Sequence, residues 1–122
     1  MIFKNLLLVL FLFIFGIFKS QHLKGTATYY GKVFHGRKTA SGERFDMNKL
    51  TCAASIIFKF GTKLRITNIR NNKSVIVRVT DRGSAVTGYK IDLSQGAFSK
   101  IANLKSGKIQ ILIEKVLDSS EI

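Results

Sequence analysis

The sequence predicts a mainly β domain folded as a closed or nearly closed barrel. Three observations carry this. Lys63–Asn68 (KLRITN), Ser74–Asp81 (SVIVRVTD) and Lys108–Val116 (KIQILIEKV) alternate apolar and polar residues with period two, the mark of a half-buried strand. The 122-residue chain has no proline, so its turns rely on Gly, Asn and Asp. Only Ser94–Ala102 (SQGAFSKIA) reads as a helix, with Ser94 as N-cap and Gly96 as its weak point. Five or six short strands with one small helix fit a barrel better than a layered α/β fold.

From the N-terminus, Leu6–Phe18 is an apolar run without a charge, preceded by Lys4 and succeeded by Lys19 and Ser20. It is short for a membrane-spanning helix, which needs roughly 20 apolar residues, and matches a secretory signal peptide cleaved near Ser20. Residues 1–20 are thus expected to be a signal peptide, or an anchor if uncleaved, and residues 21–122 one exported domain in the periplasm or cell envelope. No cysteine closes the apolar run, so lipid attachment there is not expected. Lys24–Tyr30 and Thr51–Ile57 are weaker strand candidates, separated by the polar stretch Gly36–Asp46 (GRKTASGERFD). Lys63–Asn68 and Ser74–Asp81 make a hairpin whose turn contains Asn71-Asn72, residues suited to left-handed backbone.

Charge narrows the partners. The chain carries +13, and residues 21–122 keep 18 of the 20 Lys and Arg with all seven acids, a net +11. Such a balance favours anionic polymers or surfaces, or simply solvates a small domain. Export makes cell-wall polymers more available than nucleic acid, which is not an expected partner. Membrane contact is expected only if the N-terminal segment stays attached. The single Cys52 forms no internal disulfide and reads as a small buried side chain. His22 and His35 have no ligand partners at metal-binding spacing, and no phosphate-binding glycine loop is present, so neither metal nor cofactor is expected.

Candidate catalytic groups are few. In SVIVRVTD, Asp81 continues the register of Val75, Val77 and Val79, which places a carboxylate at the rim of the apolar interior, with Arg78 on the opposite face. Desolvation there favours the protonated form and suits a general acid; capping the next turn is the other reading. Glu43, beside Arg37, Lys38 and Arg44, is either a site carboxylate or half of a surface ion pair. Asp92 in KIDLS faces away from Ile91 and Leu93 and reads as a helix-capping group. Tyr29, Tyr30 and Phe34 form an aromatic cluster that either packs or stacks on sugar rings. Phe45 offers the polar loop an anchor.

Four segments in order, GTATYYGKVFHGRKTASGERFD, TCAASIIFKFGTKLRITN, VIVRVTDRG and GYKIDLSQGAFSKI, together resemble the rare lipoprotein A (RlpA) family over Lys24–Val116. The resemblance implies a six-stranded double-psi β-barrel with one or two short helices, similar to expansins. It implies an endolytic lytic transglycosylase that cleaves the MurNAc-β-1,4-GlcNAc bond of peptidoglycan glycan strands and leaves 1,6-anhydroMurNAc ends. It assigns the acid to Asp81 and a supporting role to Glu43, facing Asp81 across a groove. Tyr30, Arg37, Thr39, Ser41, Ser55, Arg82 and Asp92 are the expected substrate-binding residues, and a monomer is expected. The family pattern has histidine where Ser55 stands, proline at Lys59 and arginine at Tyr89. The loss of the histidine leaves an alternative, a non-catalytic, expansin-like peptidoglycan-binding module.

Overall fold

A computed structural model describes residues 22–117; the expected signal segment lies outside them. Six strands, β1 (Leu23–Tyr29), β2 (Thr51–Ala53), β3 (Lys63–Asn68), β4 (Ser74–Asp81), β5 (Lys90–Leu93) and β6 (Ile109–Lys115), close into a barrel in the order β1-β5-β2-β4-β3-β6. The hairpin expected from the two best alternating segments is β3–β4, paired from Thr67↔Ser74 to Lys63↔Arg78. Its turn uses Asn72 in the left-handed region, at φ 61°. Helix α1 (Gln95–Ile101) starts where Ser94 Oγ accepts from the Ala97 N–H at 3.1 Å.

Two elements differ from the sequence expectation. The strand expected over Thr51–Ile57 stops at Ala53, because Phe58 N–H bonds back to Ser55 O at 3.0 Å and the chain turns. Lys90–Leu93, where the sequence suggests only a capping role for Asp92, is a strand. It pairs parallel with β1 and antiparallel with β2 and so closes the barrel. Four residues are too few for periodicity to declare a strand; its ladder partners come from distant segments.

The interior is filled by the inward rows: Leu64 and Ile66 from β3, Val75, Val77 and Val79 from β4, Ile111 and Ile113 from β6, with Ala27, Cys52, Ile91 and Leu93. Helix α1 caps this interior with Ala97, Phe98 and Ile101. Phe98 is fully buried and its ring meets that of Tyr29 at 4.8 Å between centroids. Phe98→Ala should cost about 3–5 kcal/mol in a denaturant titration, from lost burial and the cavity left behind. Cys52, 1% exposed, has its thiol pushed up to about 12, mainly by burial. A thiol reagent should label it only at the rate of unfolding, with the labelling burst appearing in denaturant.

Candidate active site

The site begins with an irregularity in β4. Beside β2 the pairs run Thr51↔Arg78, Cys52↔Val79 and then Ala53↔Asp81, so Thr80 is an extra residue. The extra residue reverses the facing of the side chains after it. Asp81 shares the side of Ala53, which packs with Tyr30 and Phe45 outside the barrel interior. Two expectations are corrected by this. Asp81 does not continue the row of Val75, Val77 and Val79, and Arg78, two places before the extra residue, lies on the same outer face as Asp81. A strict alternation cannot report a bulge, because a bulge exists only relative to a partner strand.

Three donors converge on the Asp81 carboxylate. Tyr30 Oη donates to Oδ2 at 2.8 Å, while the backbone N–H groups of Ala40 and Arg82 donate to Oδ1 at 2.9 and 2.8 Å. Burial, first, and then the bond to Asp81 and its charge push the Tyr30 hydroxyl far above its usual range, so it remains a protonated donor. The Tyr30 ring stacks on Phe45, 4.5 Å between centroids, and meets Phe34 edge-on at 5.8 Å.

The polar loop folds back on itself as a small hairpin. Gly36 N–H bonds Phe45 O, Phe45 N–H bonds Arg37 O and Thr39 N–H bonds Glu43 O, at 2.7–2.8 Å. Gly42 makes the turn at φ 94°, a conformation that favours glycine. The buried Thr39 hydroxyl donates to Glu43 O at 2.7 Å and meets Ser41 Oγ at 3.0 Å. The loop is pinned to the barrel by Ser41 N–H on Thr80 O, by Ala40 N–H on Asp81, and by Phe45, as the apolar anchor in the sequence suggests. Glu43 has its partner in Arg78, with two parallel bonds of 2.6 and 2.8 Å. That fork holds the Glu43 carboxyl below its usual range, so it stays ionised at neutral pH. Glu43 is thus engaged by Arg78 rather than directed freely at Asp81.

Tyr30, Phe34, Arg37, Lys38, Thr39, Phe45 and Asp81 line one cleft of about 270 Å³. Its floor is aromatic, Arg37 lies over the Phe34 ring at 5.4 Å, and Asp81 stands at one side. Beyond Asp81 a more open concavity of about 410 Å³ is bounded by Ser55, Ile57, Arg82 and Val86. Ser55 Oγ is buried there and makes no hydrogen bond among the described residues. Arg82 spends its guanidinium on structure: it donates to Ala54 O and Phe58 O at 3.2 and 2.9 Å and stacks over Phe60 at 4.1 Å. It clamps the turn after β2, whose Ala54 N–H in turn bonds Asp81 O at 3.1 Å.

Asp92 is not a helix cap; Ser94 does that work. It lies on β5 with its side chain outward, where Thr28 Oγ1 of β1 donates to its Oδ1 at 3.1 Å. Burial first, and the Asp81 charge after it, push the Asp92 carboxyl up, opposed by the Thr28 bond.

Residues 22–113 match the family model described as lytic transglycolase. The chain belongs to the lytic transglycolase family. Within it, the protein of Synechocystis sp. named probable endolytic peptidoglycan transglycosylase RlpA is 48% identical over 92 residues, 75% of this chain and 28% of that protein. The chain therefore spans under a third of that relative's length. Among solved structures, the Streptomyces papain inhibitor superposes at a TM-score of 0.67 with 25% identity, over 80% of this chain and 96% of that one. A Clavibacter michiganensis expansin mutant in complex with cellohexaose superposes at 0.66 with 23% identity, over 80% and 52%. The fold of this lytic transglycolase family member is the double-psi β-barrel expected from the resemblance.

Of the residues singled out in the sequence, the lytic transglycolase fold gathers Tyr30, Arg37, Thr39 and Asp81 around one cleft, with Glu43 and Ser41 on the loop that forms its wall. Ser55 and Arg82 belong to the adjoining concavity. Sequence reasoning misses Thr28 and the true role of Arg78. A polar residue beside Asp92 could be suspected only with β1–β5 pairing in hand, and the bond of Arg78 to Glu43 only with the loop docked on β4.

Proposed function

We propose that this chain is an exported, endolytic lytic transglycosylase that acts on peptidoglycan glycan strands in the cell envelope. The observation that carries the reading is Asp81. It is a carboxylate held by three donors at the edge of an aromatic-floored cleft, in a chain whose family and relatives are named for this activity.

The reaction suits so sparse a site. A proton passes to the glycosidic oxygen as the bond from C1 of the muramic ring breaks. The 6-hydroxyl of the same ring then bonds to C1, and its proton passes to a carboxylate. The nucleophile is internal, so no group need activate water, and proximity is supplied by the ring itself. One carboxyl group can give and then take the proton in turn, and Asp81 is the carboxyl that the cleft presents. The ionised Glu43 is a poor proton donor; its bond to Arg78 instead ties the loop that carries Ala40 to the strand that carries Asp81. Phe34, the exposed ring of the cluster, offers a stacking edge backed by the buried Tyr30 and Phe45, and Arg37 and Lys38 supply a cationic edge for a lactyl or peptide carboxylate.

Purified glycan strands incubated with residues 21–122 should yield 1,6-anhydro-ended fragments by mass spectrometry, with internal cuts giving a broad range of lengths early in the reaction. Retention on sacculi with no anhydro product at any protein concentration would replace this reading by that of a binding module.

A further inference from the structure

The turn between β2 and β3 holds apolar side chains outward. Phe58 is buried and fixes the turn from within, Arg82 donates to Phe58 O at 2.9 Å, and the Gly61 N–H bonds Val79 O at 2.8 Å. On this pinned backbone Ile56 is 85% exposed, Ile57 57% and Phe60 44%. Single exposed apolar residues are ordinary on a protein surface, whereas three within five positions form a patch that calls for a partner.

Cations surround the patch. A concavity of about 510 Å³ between this turn, the start of β3 and the end of β6 is lined by Ile57, Phe60 and Val116 together with Lys59, Lys63 and Lys115, and no carboxylate lines it. The two ion pairs among the described residues, Arg65–Glu114 and Arg78–Glu43, involve none of the three lysines. Lys63 stands directly opposite Arg78 in the β3–β4 ladder, and Glu43 answers only the arginine. The chain also enters the barrel at this end: β1 begins at Leu23, opposite Ile113 and two places before Lys115 on β6. The apolar run Leu6–Phe18 therefore joins the barrel at the end that carries the patch.

We propose that this end of the barrel docks on an anionic lipid bilayer, with Ile56, Ile57 and Phe60 entering the boundary between headgroups and acyl chains and Lys59, Lys63 and Lys115 meeting lipid phosphates. An apolar tip with a basic flank is the combination that holds proteins in that boundary. Ile56 favours a bilayer over a wall polymer. It borders the open concavity beyond Asp81, but at its exposure it stands on the rim, so a glycan lying there would leave most of it in water, while a lipid surface surrounds it. Isoleucine also gives a sugar ring no aromatic face and an acidic chain no donor. The docking stands apart from the transglycosylase reading, since the cleft of Asp81 shares no lining residue with the lysine-lined concavity. It gives the barrel a membrane contact of its own, in addition to any made by residues 1–20.

The test is cosedimentation of residues 21–122 with vesicles of phosphatidylcholine alone or mixed with phosphatidylglycerol. Binding is expected to the anionic vesicles and should fade as salt rises. Ile56→Ser with Ile57→Ser should weaken it by about tenfold or more, from lost apolar burial. Lys59→Gln, Lys63→Gln and Lys115→Gln together should weaken it by about 100-fold, at about fivefold per lysine. The same change at Lys73, Lys105 and Lys108, at the other end of the barrel, should cost far less. The chain has no tryptophan, so Ile56→Trp supplies a single reporter whose emission should shift to the blue on anionic vesicles. Thermal melts should match wild type, since every altered side chain is exposed. No binding to anionic vesicles would overturn the proposal. So would equal losses from the two lysine triples or an unshifted tryptophan, either of which reduces the contact to net charge. A dimer that Ile56→Ser dissolves, or retention on sacculi that it abolishes, without vesicle binding, would assign the patch to a second copy or to the wall instead.

Discussion

Asp81→Asn should lower anhydro-product formation by about 100- to 10,000-fold, the range spanned by a lost general acid or base, while the barrel remains folded. Asparagine keeps an oxygen for the N–H groups of Ala40 and Arg82, so the loop stays docked. Its amide can donate to Tyr30 Oη, which then turns to accept in place of donating. The substitution removes a proton acceptor without opening a cavity or stripping a backbone donor. Asp81→Ala is a less clean experiment, since two backbone N–H groups and a phenol would lose their partner together and the loop could detach. The readout is mass spectrometry of digested glycan strands beside a thermal melt of both proteins. Product at the wild-type level from a folded Asp81→Asn would take Asp81 out of the reaction.

Gly25→Ala should be the most damaging single-methyl change to stability. A Cβ at this position would sit 2.1 Å from Tyr89 O and 3.0 Å from an Ile113 methyl. A backbone oxygen has no rotamer to escape into, and Tyr89 O also accepts the N–H of Thr26 at 3.2 Å. The clash falls where β5 enters its parallel pairing with β1 at Thr26↔Lys90, and relief requires the two strands to part. A cost of about 2–4 kcal/mol is expected, in the upper part of the range for single substitutions, as a shift in the denaturation midpoint. The same methyl at Gly31, where φ is −68° and the nearest atom is a Val33 methyl at 3.9 Å, should change stability by less than about 0.5 kcal/mol. A Gly25→Ala protein as stable as that control would show that β5 can shift freely.

The candidate carboxylates are legible in the sequence to different degrees. Asp81 stands out because a carboxylate ending an alternating strand before glycine is an unusual placement, but alternation gives its direction wrongly. The extra residue Thr80 changes the facing of Asp81, and only the Ala53 partner reveals it. Glu43 stands out by the crowding of polar groups around it, yet its partner lies 35 residues away on a strand that only the docking of the loop brings next to it. Asp92 reads as part of the helix start because KIDL is too short to display a period, whereas in the barrel those four residues are the closing strand. The helix itself and the β3–β4 hairpin agree with expectation, since Ser94 capping and the Asn72 turn are settled within a few residues of chain.

What this sequence determined by itself was local: which segments extend, which face of each is apolar, and where the chain turns. Backbone preference and side-chain period act over fewer than ten residues, and those can be read in order. The tertiary structure alone decided that β5 closes the barrel, that a single unpaired residue swings Asp81 outward, and that Glu43 meets Arg78. Strand pairing is a relation between distant segments, and a one-residue change in its register moves a side chain to the opposite face of the sheet.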